Sequence, residues 1–147
     1  MNKINYFNKK LDELFKLTKM KQEIHVKQDN RLGDYIAHVE LHICKGCDKE
    51  MYLFRYNAKE IKKASKIEII NTILHEFGHI KIKCGQNISR VENEYRAEKY
   101  AIKTIKKYYP QYYKQAVKNL KGYLRHVDKV YNKAFGRLYK ELCKDSI

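Results

Sequence analysis

The chain lacks any uninterrupted apolar run of about 18 residues or more, which excludes a membrane-spanning helix. It also lacks the apolar stretch of a signal peptide, because Met1 to Gln22 alternates charged and apolar residues at helical spacing. The mature protein is therefore expected to begin near Met1 and to stay in the cytosol, with Cys44, Cys47, Cys84 and Cys143 as reduced thiols. Tryptophan is absent, proline occurs once, and Lys, Asn, Ile and Tyr are abundant, the bias of an AT-rich coding sequence. Acidic residues are scarce as well, leaving a formal charge of +15. That charge resembles a nucleic-acid signature, but compositional bias toward lysine discounts it. Its distribution says more: from Lys99 to Ile147, thirteen Lys or Arg face only Asp128, Glu141 and Asp145, so +10 lies in the C-terminal third.

Neither an internal repeat nor a low-complexity linker interrupts the 147 residues, the length of one domain. Three segments can be distinguished within it: an N-terminal helix over 1–22, a core over 23–110 and a basic helical segment over 111–147. Ile4, Phe7, Leu11, Leu14 and Phe15 recur every three or four residues and predict an amphipathic first helix. From about Glu23 the period becomes two. Tyr35, Ala37, Val39, Leu41 and Ile43 alternate with Ile36, His38, Glu40 and His42, the pattern of a strand with one apolar face. Lys45, Gly46 and Asp48 predict a turn into a further strand, Met51 to Tyr56, so three short strands in antiparallel meander order are expected.

Helical patterns follow Asn57. Ser65 with Glu68 forms a capping box and Gly85 a stop, predicting a helix from about Lys66 to Lys83. Ser89 with Glu92 opens another helix, closed by Pro110. The apolar spacing from Tyr113 to Leu142 then predicts one long helix, or two joined near Gly122, with lysines outward. The fold class is α+β, strands first and helices after.

His75-Glu76-Phe77-Gly78-His79 matches H-E-x-x-H within the first of these helices. Residues four apart share a helix face, so His75 and His79 can direct imidazole nitrogens at one Zn2+ ion. Glu76, about 100° around the helix, is placed to act as general base toward a metal-activated water. A catalytic zinc takes a third protein ligand. The metzincin spacing requires Gly and His where this chain has Ile82 and Gly85, which excludes that class. The next helix offers Glu92, Glu94 and Glu98. Glu94 and Glu98 share the face of Val91, Ala101, Ile102, Ile105 and Tyr108, whereas Glu92 groups with Arg96, Lys99 and Lys103. Carboxylates on an apolar face need a partner, so Glu94 is expected as the third ligand and Glu98 as a carboxylate orienting a ligating histidine. The bland alternative pairs both with lysines at the helix edge.

Together with Glu94-Tyr95-Arg96-Ala97-Glu98-Lys99-Tyr100-Ala101, the H-E-x-x-H segment resembles the ImmA/IrrE family of gluzincin-type metallopeptidases, over roughly residues 20 to 110. That family shows H-E-x-G-H followed by E-x-x-A-[ND]-x-F-A, with the first glutamate of the second motif binding zinc. Glu98 departs from it, standing where Asn or Asp is usual. The resemblance implies a small zincin-like fold, a phage or mobile-element setting, and a specific intracellular protein substrate such as a repressor.

Other signals point elsewhere. Cys44-Lys45-Gly46-Cys47, with His42, offers half of a second metal site, but no second C-x-x-C completes it. His126 or one of the tyrosines is a candidate donor to an oxyanion. The competing function is a module binding nucleic acid or an acidic partner through the basic C-terminal helix, with any metal structural. Its tyrosines lie mainly on the apolar stripe, not between lysines, so nucleic-acid binding no stronger than nonspecific is expected.

Overall fold

The computed structural model describes residues 2–43, 45–46, 49–82 and 88–144. The expected stop at Gly85 and the Cys44 and Cys47 pair lie outside these residues, while Cys143 is an exposed free thiol.

Helix α1 (Lys3–Leu17) begins where the Asn2 side chain accepts from the Asn5 backbone N–H, and it buries Phe7, Leu11 and Leu14. Strands β1 (Ile24–Gln28), β2 (Ala37–Ile43) and β3 (Glu50–Tyr56) follow. Next come α2 (Ala58–Lys63), α3 (Lys66–Lys81), α4 (Arg90–Tyr108), α5 (Pro110–Tyr123) and α6 (Lys129–Lys144). The long C-terminal pattern is thus two helices, broken just after Gly122. Among the described residues, none of the helices is long and apolar enough to cross a membrane.

The expected meander is not what forms. The sheet order is β1-β3-β2, with β2 antiparallel and β1 parallel to β3. Burial explains the choice of centre. Tyr52 and Phe54 of β3 are 2% and 0% exposed, whereas β1 is exposed along nearly its whole length. The most apolar strand takes the middle, and residues 29–36 carry the chain from one edge of the sheet to the other. That crossing is fixed by Asp29, which accepts from the Arg31 backbone and from the Arg55 guanidinium, and by the Asn57 amide donating to the Gly33 carbonyl. The apolar face of β2 is also only half used. Ala37 and Val39 are buried, but Leu41 and Ile43 are exposed where the strand runs beyond the core.

The principal core lies between the sheet, α1, α3 and α4, and includes Phe7, Phe54, Ile70, Phe77 and Ile105. A second cluster, with Tyr95, Ile102, Leu120, Phe135, Leu138 and Leu142, joins α4 to α5 and α6. Helix α4 is therefore buried on two sides. This is why Tyr95, Ala97 and Thr104 join the expected Ala101, Ile102 and Ile105 among its buried residues. Arg137 stacks over the Tyr95 ring at 4.0 Å and pairs with Glu92, while Tyr95 donates to Glu141, fastening α6 to α4.

Candidate metal centre

Helix α3 supplies most of the site, and its own sequence fixes where it starts. The Ser65 hydroxyl accepts from the Glu68 N–H at 3.2 Å, and the Glu68 carboxylate accepts from the Ser65 N–H at 2.9 Å, closing the capping box. Ile67, Ile69, Ile70, Ile73, Leu74 and Ile80 are buried around the rest of the helix, which gives the rigid support a metal site requires.

His75 and His79 fall one turn apart, ring centroids 4.9 Å from each other. Across from them, α4 presents Glu94. Its two carboxylate oxygens divide between the imidazoles, Oε2 lying 2.9 Å from His75 Nε2 and Oε1 3.2 Å from His79 Nε2. Ligand atoms of these three residues all lie within 4.8 Å of one another, so His75, His79 and Glu94 can hold a metal ion. Two imidazole nitrogens and a carboxylate oxygen are a donor set that zinc accepts, with a fourth tetrahedral position left over.

Electrostatics describe the same cluster. Burial alone would push His75 down, but hydrogen bonds to Glu94 and Glu98, with the charges of Glu98 and Glu76, raise its pKa well above the usual histidine value. Burial would likewise raise Glu94, yet its hydrogen bonds to His75 and His79 and their charges hold it well below the carboxylate range. The histidines and the carboxylates thus each hold the other in its charged form.

Glu76 does not join the donor set. It is 8% exposed, and its Oε2 accepts from the Val39 N–H of β2 at 2.9 Å. Burial is the main cause of its raised pKa, with Glu94 adding to it and the histidines and the Val39 hydrogen bond opposing. A carboxylate raised in this way is a better proton acceptor than an exposed one. The Glu98 Oε2 lies 2.7 Å from His75 Nδ1.

Gly78 explains how two helices come close enough. A Cβ there would lie 2.9 Å from both the Ala97 Cα and the Ala97 carbonyl oxygen. Glycine in α3 and alanine in α4 therefore permit the approach that carries Glu94 and Glu98, three residues before and one after Ala97, to the histidines. Glu92 sits off this face, its carboxylate pairing with Arg96 and Arg137, while its backbone N–H donates to the Ser89 hydroxyl.

Of the candidate oxyanion donors, His126 is exposed in the turn after α5. Tyr123, at the end of α5, is half exposed, and its pKa is raised by partial burial and then by the charges of Glu94 and Glu98. His38 on β2 is lowered first by partial burial, then by Arg55 and His79, with Glu94 opposing. The alternation of β2 gave no reason to choose His38 over His42, because its neighbours come from α3 and α4. Glu40 pairs with the Arg55 guanidinium and lies 3.7 Å from the His38 ring and 3.3 Å from the His42 ring, so that face of β2 is a polar cluster.

The fold and centre define a small α+β protein with a two-histidine, one-glutamate site that can hold a metal ion. Comparison with models of known families, with curated proteins and with solved structures found no match.

Proposed function

We propose that this protein is a zinc-dependent peptidase with His75, His79 and Glu94 as metal ligands and Glu76 as general base. The observation that carries the proposal is the pairing of two features in one place. Three donors from α3 and α4 converge, and a buried carboxylate that is not among them is held beside them by a backbone N–H of β2. A site serving structure alone has no use for that extra buried carboxylate, whose desolvation is costly. The resemblance of the two motifs to the ImmA/IrrE peptidases points the same way.

Zinc held by His75, His79 and Glu94 would supply Lewis acidity toward a peptide carbonyl and would acidify a water. Glu76 accepts the proton that the attacking water loses and delivers it to the departing amine. The Val39 N–H fixes which way the Glu76 carboxylate points during both transfers. Tyr123, whose pKa the charges of Glu94 and Glu98 help to raise, is the candidate donor to the developing oxyanion. The substrate class is a protein or peptide.

Glu76→Gln tests the chemistry. Zinc content should stay near one equivalent per chain, while hydrolysis in a peptide library read by mass spectrometry should fall by about 100-fold or more, the scale of general-base loss. Equal cleavage by wild type and variant would refute the assignment. The second reading, a module gripping polyanions, is favoured by one feature: a hollow of about 610 Å³ between α4, α5 and α6 lined by Lys103, Lys106, Lys107, Tyr113 and Leu142. The Tyr113 hydroxyl is buried, however, and Lys106 lies over its ring at 5.0 Å, so the ring is no platform for a base.

A further inference from the structure

Glu98 reaches His75 with one oxygen, and its other oxygen is also held. Oε1 accepts from the Asn71 side-chain amide at 2.9 Å, while Oε2 stands 2.7 Å from His75 Nδ1. Asn71 lies one turn before His75 on α3, so a single helix grips both oxygens of a carboxylate that belongs to α4. Since a carboxylate facing these groups accepts, the NH2 of Asn71 and the Nδ1–H of His75 must both be turned toward it. We propose that Asn71 is a positioning residue for the metal centre, acting through Glu98 to fix the tautomer and ring orientation of His75.

The inference rests on the metal-site reading above and adds a residue that neither the motif nor the face argument identified. Its physical basis is the length of glutamate. Three side-chain torsions let a Glu carboxylate swing, and a hydrogen bond at Oε2 alone leaves Oε1 free to rotate out of line. The Glu98 side chain is only 15% exposed, so an amide on the protein replaces water as the second partner. With both oxygens pinned, Nδ1 stays turned to Glu98, and Nε2, 2.9 Å from Glu94 Oε2, is the nitrogen directed at the donor set. Losing the amide frees the carboxylate, and His75 then spends part of its time in the wrong orientation.

The test is zinc affinity by competition with a chromophoric chelator, alongside unfolding of the metal-free protein in excess chelator. Asn71→Ala should weaken zinc binding by about tenfold, the lower end of what outer carboxylate partners contribute, and leave the metal-free midpoint nearly unchanged. Asn71→Asp, which keeps the shape but opposes Glu98 with a like charge, should weaken it further. Alanine favours helix over asparagine, so the first variant should fold, and the aspartate variant carries the test if it does not. The decisive comparison is made in a Glu98→Ala background. There Asn71→Ala should cost nothing more, since the residue it acts through is gone. A full tenfold loss in that background would show that Asn71 acts through the helix itself and would overturn the proposal. So would unchanged affinity of Asn71→Ala in the wild-type background, with zinc still bound tightly. A wild-type protein that binds no zinc would remove the metal-site reading and this inference together, an outcome distinguishable from either of those.

Discussion

Gly78→Ala separates stability from site geometry more cleanly than any change to a ligand. Inside a helix, replacing glycine by alanine should stabilise by about 1 kcal/mol, since glycine loses more backbone freedom on folding. At Gly78 the new methyl would stand 2.9 Å from the Ala97 Cα and carbonyl oxygen, and 3.2 Å from the Tyr100 ring. Carbon atoms at rest sit about 3.5–4.0 Å apart, so α3 and α4 must separate by roughly 0.6–1 Å. The two closest contacts are with backbone, which cannot rotate away. Overpacking of this kind costs about 1–3 kcal/mol, so the net effect on folding should lie between neutrality and about 2 kcal/mol of destabilisation. The metal centre should suffer more. Glu94 and Glu98 flank Ala97 on α4 and would move with it, while such sites tolerate displacements of about 0.5 Å. We expect zinc affinity to fall by at least about tenfold while the metal-free protein stays folded, measured by chelator competition and by urea unfolding. A Gly78→Ala protein that gains the full helix-propensity stabilisation and binds zinc as tightly as wild type would refute the close approach as the device that sets the site.

Four further outcomes follow from the same geometry. Glu94→Ala should lower zinc occupancy, whereas Glu92→Ala should leave it intact, because Glu92 pairs with Arg96 and Arg137 instead of the histidines; equal loss from both would contradict the donor assignment. Protons should compete with the metal at His75, whose pKa is raised by Glu94 and Glu98, so zinc affinity should decline as pH falls, starting above the ordinary histidine value of about 6.5; a flat profile would refute this. In the metal-free protein the raised His75 stabilises fully below about pH 6.5 and loses this effect as pH rises through its folded value. The depressed Glu94 stabilises above about pH 4.3 and loses its effect as pH falls through its folded value, which urea unfolding across that range can check. Finally, replacing Lys118, Lys121, Lys129 and Lys133 by glutamine should leave stability and metal affinity nearly unchanged, since all four are exposed; tight, sequence-selective nucleic-acid binding at physiological salt, abolished by this variant, would promote the polyanion-binding reading.

The sequence determined by itself whatever depends on residues close along the chain. The start of α3, its buried face and the stacking of His75 over His79 follow from capping chemistry and the 3.6-residue period, and all three are legible in about fifteen consecutive residues. The choice of Glu94 over Glu92 was also readable, because helix periodicity sorts one face from the other even without knowing what covers it. Tertiary structure decided the rest. Nothing local in β1 tells it to run parallel to β3; that pairing depends on which strand buries most and on a crossing held by Asp29, Arg55 and Asn57. Alternation in β2 predicted a uniform apolar face, but the core beneath it ends at Val39, leaving Leu41 and Ile43 outside. The partners of the motif's own residues were hidden for the same reason. Glu76 is held from 37 positions away by Val39, and Glu98 from 27 by Asn71. An asparagine inside a helix or a valine inside a strand carries no mark of such a role, since a hydrogen bond between distant segments exists only once packing has brought them to within 3 Å of each other.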